Sequence, residues 1–248
     1  MAERFVVGLP LGRWQTNCFV VGDLDEGTCV VIDPGEGGAE QVPSILEQVG
    51  VQCEAILVTH GHIDHFWAVP DLADALDVDI HAHPGDRWLW EDPLAGMGMG
   101  GQDSVAILKQ QFGLVWRDPK ARIRDVVDHD RLHLAGIDFT VRHNPGHTPG
   151  HVTFLGEGLE GAQVQFALGD PGAPSAGVLF SGDLVFAGSI GRTDFPRGST
   201  DDIMRSLVDT VLPLDDDTLI LSGHGPDTTV GQERATNPYL AHARQQFS

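Results

Sequence analysis

Short apolar, β-branched runs separated by Gly and Asp open the chain at 5–8 (FVVG), 18–22 (CFVVG) and 28–35 (TCVVIDPG), the pattern of a meander of short strands. Residues 39–49 then carry apolar side chains at helical spacing, and 55–59 (AILVT) is a continuous apolar run of the kind shown by a strand buried on both faces. A helix is predicted over 66–77, a strand at 78–83, a helix at 103–112 within a Gly-rich excursion, and strands at 131–134, 137–142 and 152–155. Residues 156–177, rich in Gly, Ala and Pro, keep no persistent period and read as a surface loop or hairpin insertion that the fold can lose. Strands at 178–183 and 219–225 flank an amphipathic helix over 200–212, which starts with Thr and Asp suited to capping. Strands alternating with helices through both halves predict an α/β fold of layered sheets with helices outside, in one domain spanning 1–248.

Charge narrows the partners. Against 15 Lys and Arg stand 36 Asp and Glu, a formal net charge of -21, which repels phosphate backbones and argues against nucleic acid. No run approaches the roughly 20 apolar residues of a membrane helix. The three cysteines, Cys18, Cys29 and Cys53, show no C-x-x-C spacing and sit in or beside apolar runs, as small core residues of a protein in a reducing compartment do. The first residues carry an acid where a signal peptide wants positive charge, and their apolar stretch is broken by Gly8 and Pro10, so a cytoplasmic location is expected.

Histidine, with 12 copies, is distributed unevenly. At 59–65 the chain reads Thr-His-Gly-His-Ile-Asp-His directly after the buried strand. Imidazole and carboxylate suit borderline divalent metals, and a tight loop at a strand end can turn His60 and His62 one way and Asp64 and His65 another. Three further candidates occupy comparable positions near strand ends: His147 in NPGHTPGH, Asp183 in LFSGDLVF and His224 in LILSGHGP. In open α/β sheets that edge is where sites assemble. His83 and His143, beside these motifs, are expected to support the ligands, whereas His81, His129, His133, His151 and His242 lack ligand spacing and read as surface, turn or supporting residues. Trp88, Trp90, Met97 and Met99 could line a substrate mouth or simply pack.

The order THGHIDH, PGHTPGH, FSGD and SGHGP, beginning with the early VIDPG, resembles the metallo-β-lactamase superfamily over nearly the whole chain, and within it the glyoxalase II-like thioester hydrolases. GSIGRTDFP (188–196) and ERATNPYL (233–240) resemble short bacterial members of that group. The resemblance implies an αββα sandwich holding two divalent metal ions, zinc first and iron or manganese as alternatives, with His60, His62 and His147 on one and Asp64, His65 and His224 on the other. Asp183 would bridge them, Asp33 would stand behind the ligands, and Arg192 would meet a carboxylate of the thiol carrier. The expected reaction is hydrolysis of a small-molecule thioester of the acyl-glutathione type, with Asp64 and Asp183 orienting a metal-ionised water. Only 24 residues follow His224, so the helical glutathione-binding domain of the larger enzymes is not expected. The sequence has no G-x-S-x-G elbow for covalent catalysis. GRTDF also resembles persulfide dioxygenases, in which His60, His147 and Asp183 would hold a single iron. A metal-binding module without activity is the lesser alternative.

Overall fold

The computed structural model describes residues 3–101, 103–166 and 172–247, and in it two sheets face each other with helices on both outer sides. The first half builds β1 (Arg4–Leu11), β2 (Thr16–Asp23), β3 (Thr28–Ile32), α1 (Gly38–Val49), β4 (Gln52–Leu57), α2 (Ile63–Phe66), α3 (Val69–Leu76) and β5 (Asp79–Ala82). After α4 (Arg87–Glu91) and α5 (Ser104–Ile107), which continues as a wider turn to Phe112, come β6 (Ile123–Asp125), β7 (Arg131–Leu134), β8 (Ile137–His143), β9 (Val152–Glu157) and β10 (Gln163–Phe166). The last part adds β11 (Val178–Gly182), β12 (Val185–Phe186), β13 (Ser189–Ile190), α6 (Thr200–Ser206), β14 (Leu219–Ser222), β15 (Thr228–Thr229), α7 (Val230–Thr236) and α8 (Pro238–Phe247). One sheet runs β10-β1-β2-β3-β4-β5-β6, the other β15-β14-β11-β9-β8-β7.

Alternation along the strands explains the layers. On β2, Phe19 and Val21 face the second sheet while Cys18 and Val20 face the helices; on β3, Val30 and Ile32 divide from Cys29 and Val31 in the same way. The inter-sheet core joins these to Phe139, Phe154 and Phe180 of β8, β9 and β11. Val42 and Leu46 of α1 and Leu72 of α3 cover the outer face of the first sheet, and Ile203 and Met204 of α6 with Leu240 of α8 cover that of the second. With both faces buried, the strands read as unbroken apolar runs.

The 156–177 stretch differs from its sequence reading. Gln163–Phe166 form β10, which pairs in parallel with β1 at the edge of the first sheet, and Leu159, Ala162 and Phe166 are buried in the inter-sheet core. The segment is therefore structural over its described part. Residues 167–171 of it lie outside the described residues. Its composition hid the strand because one short edge strand needs few apolar positions once a neighbour supplies the pairing.

Candidate metal centre

All seven candidate ligands lie at the strand ends of the two facing sheets. His60 and His62 lie in the turn after β4, Asp64 and His65 on α2, His147 in the β8–β9 loop, Asp183 after β11 and His224 after β14. Asp33, at the end of β3, holds the first turn in place: it accepts the Thr59 amide (2.8 Å) and hydroxyl (2.6 Å) and receives His65 Nδ1 (2.9 Å). Gly223 lets the last loop close in, since a Cβ there would sit 2.4 Å from Asp183 Oδ1 and 2.6 Å from the His65 ring. Asn17 of β2 clasps that loop by donating to the Ser222 and Gly225 carbonyls, both at 2.9 Å.

Two convergent sets result. His62 Nδ1 lies 3.2 Å from His60 Nε2 and 2.8 Å from His147 Nε2. Asp64 Oδ2, His65 Nε2 and His224 Nε2 are 3.2 to 3.5 Å apart. Asp183 stands between them, Oδ2 3.5 Å from His147 Nε2 and Oδ1 3.3 Å from His65 Nε2.

Tetrahedral ligation at usual zinc–nitrogen lengths separates ligand atoms by about 3.3 Å, so the spacing fits a small divalent ion in each set. Lone pairs aimed at one another in a buried place repel unless a cation lies between them, and the buried Asp183 Oδ1 has no hydrogen-bond donor among the described residues. Three of the five ligand histidines have the outer nitrogen tied down: His60 Nδ1 to Thr59 Oγ1 (3.1 Å), His65 Nδ1 to Asp33, and His147 Nδ1 to the Arg192 carbonyl (2.8 Å). Electrostatics agree. Burial, then the neighbouring His147, pushes His62 down to about 3, and burial with neighbouring histidines keeps His60 neutral. Burial would raise both carboxyls, but His65 and His224 hold Asp64 at about 2, and the same pair with His147 holds Asp183 well below the ordinary range. His60, His62 and both carboxylates are thus in the ligating form. Burial would lower His65 and His224, but Asp64 and Asp183 outweigh it and raise both toward the charged form, so an ion in that set would displace protons as it bound.

The remaining expectations divide. His83 and His143 stack on each other, ring centroids 4.1 Å apart, and hold loop backbone at Gly85 and Pro149, the latter in the loop that carries His147, rather than a ligand side chain. His151, fully buried, does support the site, its Nε2 accepting the Asp183 amide at 3.0 Å. Of Trp88, Trp90, Met97 and Met99, Met97 lines the mouth, whereas Trp90 stacks on Phe66, Trp88 lies under Arg197, and Met99 is exposed. The mouth is a cavity of about 530 Å³ whose apolar wall includes Trp14, Ile63, Pro93, Met97, Ile190 and Phe195. Arg192 also lines it, its guanidinium paired with Asp194 at 2.7 Å and lying over the Phe195 ring.

Asp86 is the residue that sequence reasoning missed. It is buried just after β5 and accepts the Gly61 amide (2.9 Å), the Gly150 amide (2.7 Å) and the Thr148 hydroxyl (2.6 Å), so one carboxylate joins the turn carrying His60 and His62 to the loop carrying His147. Its position at a strand end, after the turn residues Pro84 and Gly85, was the available signal. Asp86→Ala would strand three donors, and at roughly 1–3 kcal/mol for a buried unsatisfied group a loss of about 3–5 kcal/mol is expected. Asp86→Asn, which keeps one acceptor oxygen, should fall between; denaturant melts of the three proteins read the order, and an unchanged midpoint in the alanine variant would dismiss the clamp.

A buried set of imidazoles and carboxylates at strand ends, opening on an apolar cavity, defines a divalent-metal enzyme of the hydrolase kind. The chain belongs to the metallo-β-lactamase superfamily, whose family model matches residues 11–159 and 171–224, and the αββα sandwich implied by the sequence motifs is the fold observed. It is 35% identical over 234 residues to the hydroxyacylglutathione hydrolase GloC of Haemophilus influenzae, covering 94% of this chain and 96% of that protein. Its structure is similar to that of BLEG-1, a B3 metallo-β-lactamase (TM-score 0.76, 32% identity, 95% and 99% of the two chains), and to that of TTHA1623 in a di-iron-bound form (TM-score 0.70, 34% identity, 94% and 99%). Among the described residues, no helix is long and apolar enough to cross a membrane.

Proposed function

We propose that this protein hydrolyses thioesters of the acyl-glutathione type, S-lactoylglutathione being the first substrate to test, with two divalent ions held by His60, His62 and His147 and by Asp64, His65 and His224. The observation that carries this reading is Asp183, which presents one carboxylate oxygen to each set. Such ions supply an ionised water near neutral pH and polarise the substrate carbonyl. The ionised Asp64 and Asp183 would flank that hydroxide and orient it, one of them accepting its single hydrogen bond, and the Arg192 carbonyl fixes the His147 ring. A thiolate leaves without a general acid, and none is assigned. GloC, at 35% identity, supports the thioester. A di-iron relative at 34% identity keeps iron beside zinc and manganese as the metal.

The single-iron dioxygenase reading uses His60, His147 and Asp183 and gives no task to the second convergent set, which favours hydrolysis. Elemental analysis paired with thioester loss in one sample separates them: near two metals per chain with turnover supports the hydrolase, and one iron per chain without hydrolysis overturns it. We place the activity in the cytoplasm, on the strength of three free cysteines, and away from nucleic acid, on the strength of the acidic surface.

Arg192 is the cation of the mouth. Because its ion pair with Asp194 is exposed and exposed pairs are worth little, the guanidinium can exchange that partner for a substrate carboxylate. Arg192→Ala is expected to raise KM about tenfold, the loss of one charged hydrogen bond at the low end of its range, for S-lactoylglutathione, and to leave a neutral thioester near its original value. Equal changes for both substrates would assign Arg192 to wall packing on Phe195.

A further inference from the structure

Among the described residues the hairpin formed by β12 and β13 pairs with itself, apart from both sheets, yet its residues Phe186, Ser189 and Ile190 form one wall of the mouth directly after Asp183. Two strands of two residues do not hold a fixed geometry alone. At its root, the Val185 carbonyl accepts the hydroxyls of Ser181 (3.0 Å) and Ser222 (2.8 Å). At its tip the anchors come from the C-terminal helices. Asn237, 1% exposed, donates through Nδ2 to the carbonyls of Ser189 (3.0 Å) and Phe186 (3.5 Å) and to Glu233 Oε2 (2.8 Å). Glu233, also 1% exposed, accepts the Gly188 amide (2.8 Å) and the Thr228 hydroxyl (2.7 Å). Thr228 closes the loop that carries His224, and Phe186 packs against the His224 ring with centroids 6.1 Å apart. The ERATNPYL segment thus joins the mouth wall to a ligand loop.

We propose that Glu233 and Asn237 are positioning residues that fix the β12–β13 hairpin as a rigid apolar wall for an alkyl arm of the substrate, a specificity assignment that rests on the thioester reading above. The wall faces the cavity with Phe186 and Ile190, and the side chains that set its position touch no substrate themselves. A wall allowed to move loses contact with a long arm and not with a short one.

The test uses the metal-loaded full chain and Asn237→Ala. Binding is measured by calorimetry with the S-hexyl and S-methyl thioethers of N-acetylcysteamine, which cannot be hydrolysed, and turnover with the hexanoyl and acetyl thioesters of the same thiol. In the variant, hexyl affinity and hexanoyl KM should worsen about tenfold while kcat and the short-arm values stay within about twofold. Metal content should be unchanged. Equal losses for both arm lengths, a fall in kcat at constant KM, or a wild-type protein that does not prefer the hexyl thioether would each overturn the assignment. Wild-type binding of the hexyl thioether without hydrolysis of either thioester would instead sink the thioesterase reading and leave the wall to be decided by the binding data. Should Asn237→Ala fail to fold, Asn237→Ser, which keeps a polar group but cannot span to both hairpin carbonyls, should show the same split.

Discussion

Replacing His62 by alanine is expected to lower hydrolysis by more than about a hundredfold, since loss of a partner behind a ligand already costs 10- to 100-fold, and to reduce the metal content of the purified protein. The fold should survive. His62 contributes to structure through its backbone: its carbonyl accepts the amides of His65 and Phe66 at the start of α2, and alanine keeps both bonds. Its side chain, in contrast, sits where His60 and His147 converge, with Nδ1 2.8 Å from His147 Nε2. Burial keeps the imidazole neutral to about pH 3, so His62 offers a lone pair throughout the working range and alanine offers none. Elemental analysis and thioester turnover on the same sample, with circular dichroism as the control, read the result. Full activity with unchanged metal would remove His62 from the ligand set.

The site was legible because metal chemistry constrains residue identity. His60, His62, Asp64, His65, His147, Asp183 and His224 cannot be exchanged for look-alikes, and each follows a strand whose apolar run marks where it ends. Asp33 came only with the family resemblance that begins at VIDPG. What remained hidden is held by generic chemistry. Asp86, Glu233 and Asn237 are buried polar residues whose partners are backbone groups far along the chain, and no spacing reveals which amide a carboxylate will find. Arg192 was marked for its side chain, yet its carbonyl is what touches His147. Phe186 reaches the mouth on a two-residue hairpin strand and Phe195 on a loop, neither of which a sequence pattern places there. Long strands such as β2 and β8 were visible from periodicity, whereas β6, β12, β13 and β15, at two or three residues each, lie below what a pattern can register.

Removal of residues 158–175 is expected to abolish stable folding or to lower the melting temperature by about 20 °C, although sequence composition presents the segment as dispensable. The junction itself is easy. Gly156 of β9 pairs directly with Val178 of β11, so Glu157 can be joined to Ala176 through a short hairpin turn, and any loss must come from what the segment contributes. Three contributions disappear together. Leu159 and Phe166 leave the inter-sheet core, where Phe166 packs on Phe19 with ring centroids 5.9 Å apart, and at roughly 2–5 kcal/mol for each large buried side chain the pair is worth about 6–8 kcal/mol. That is a large share of the 5–15 kcal/mol by which domains are ordinarily stable. Arg4 loses the Gly158 carbonyl it holds. Finally, β1 loses its parallel partner from Phe5 to Gly8 and becomes an open edge of apolar residues, a template for association. Thermal melts by circular dichroism, with light scattering to detect association, decide the matter: a melt like that of the intact chain would mean that β10 adds nothing to the sheet and that the inter-sheet core closes without Leu159 and Phe166.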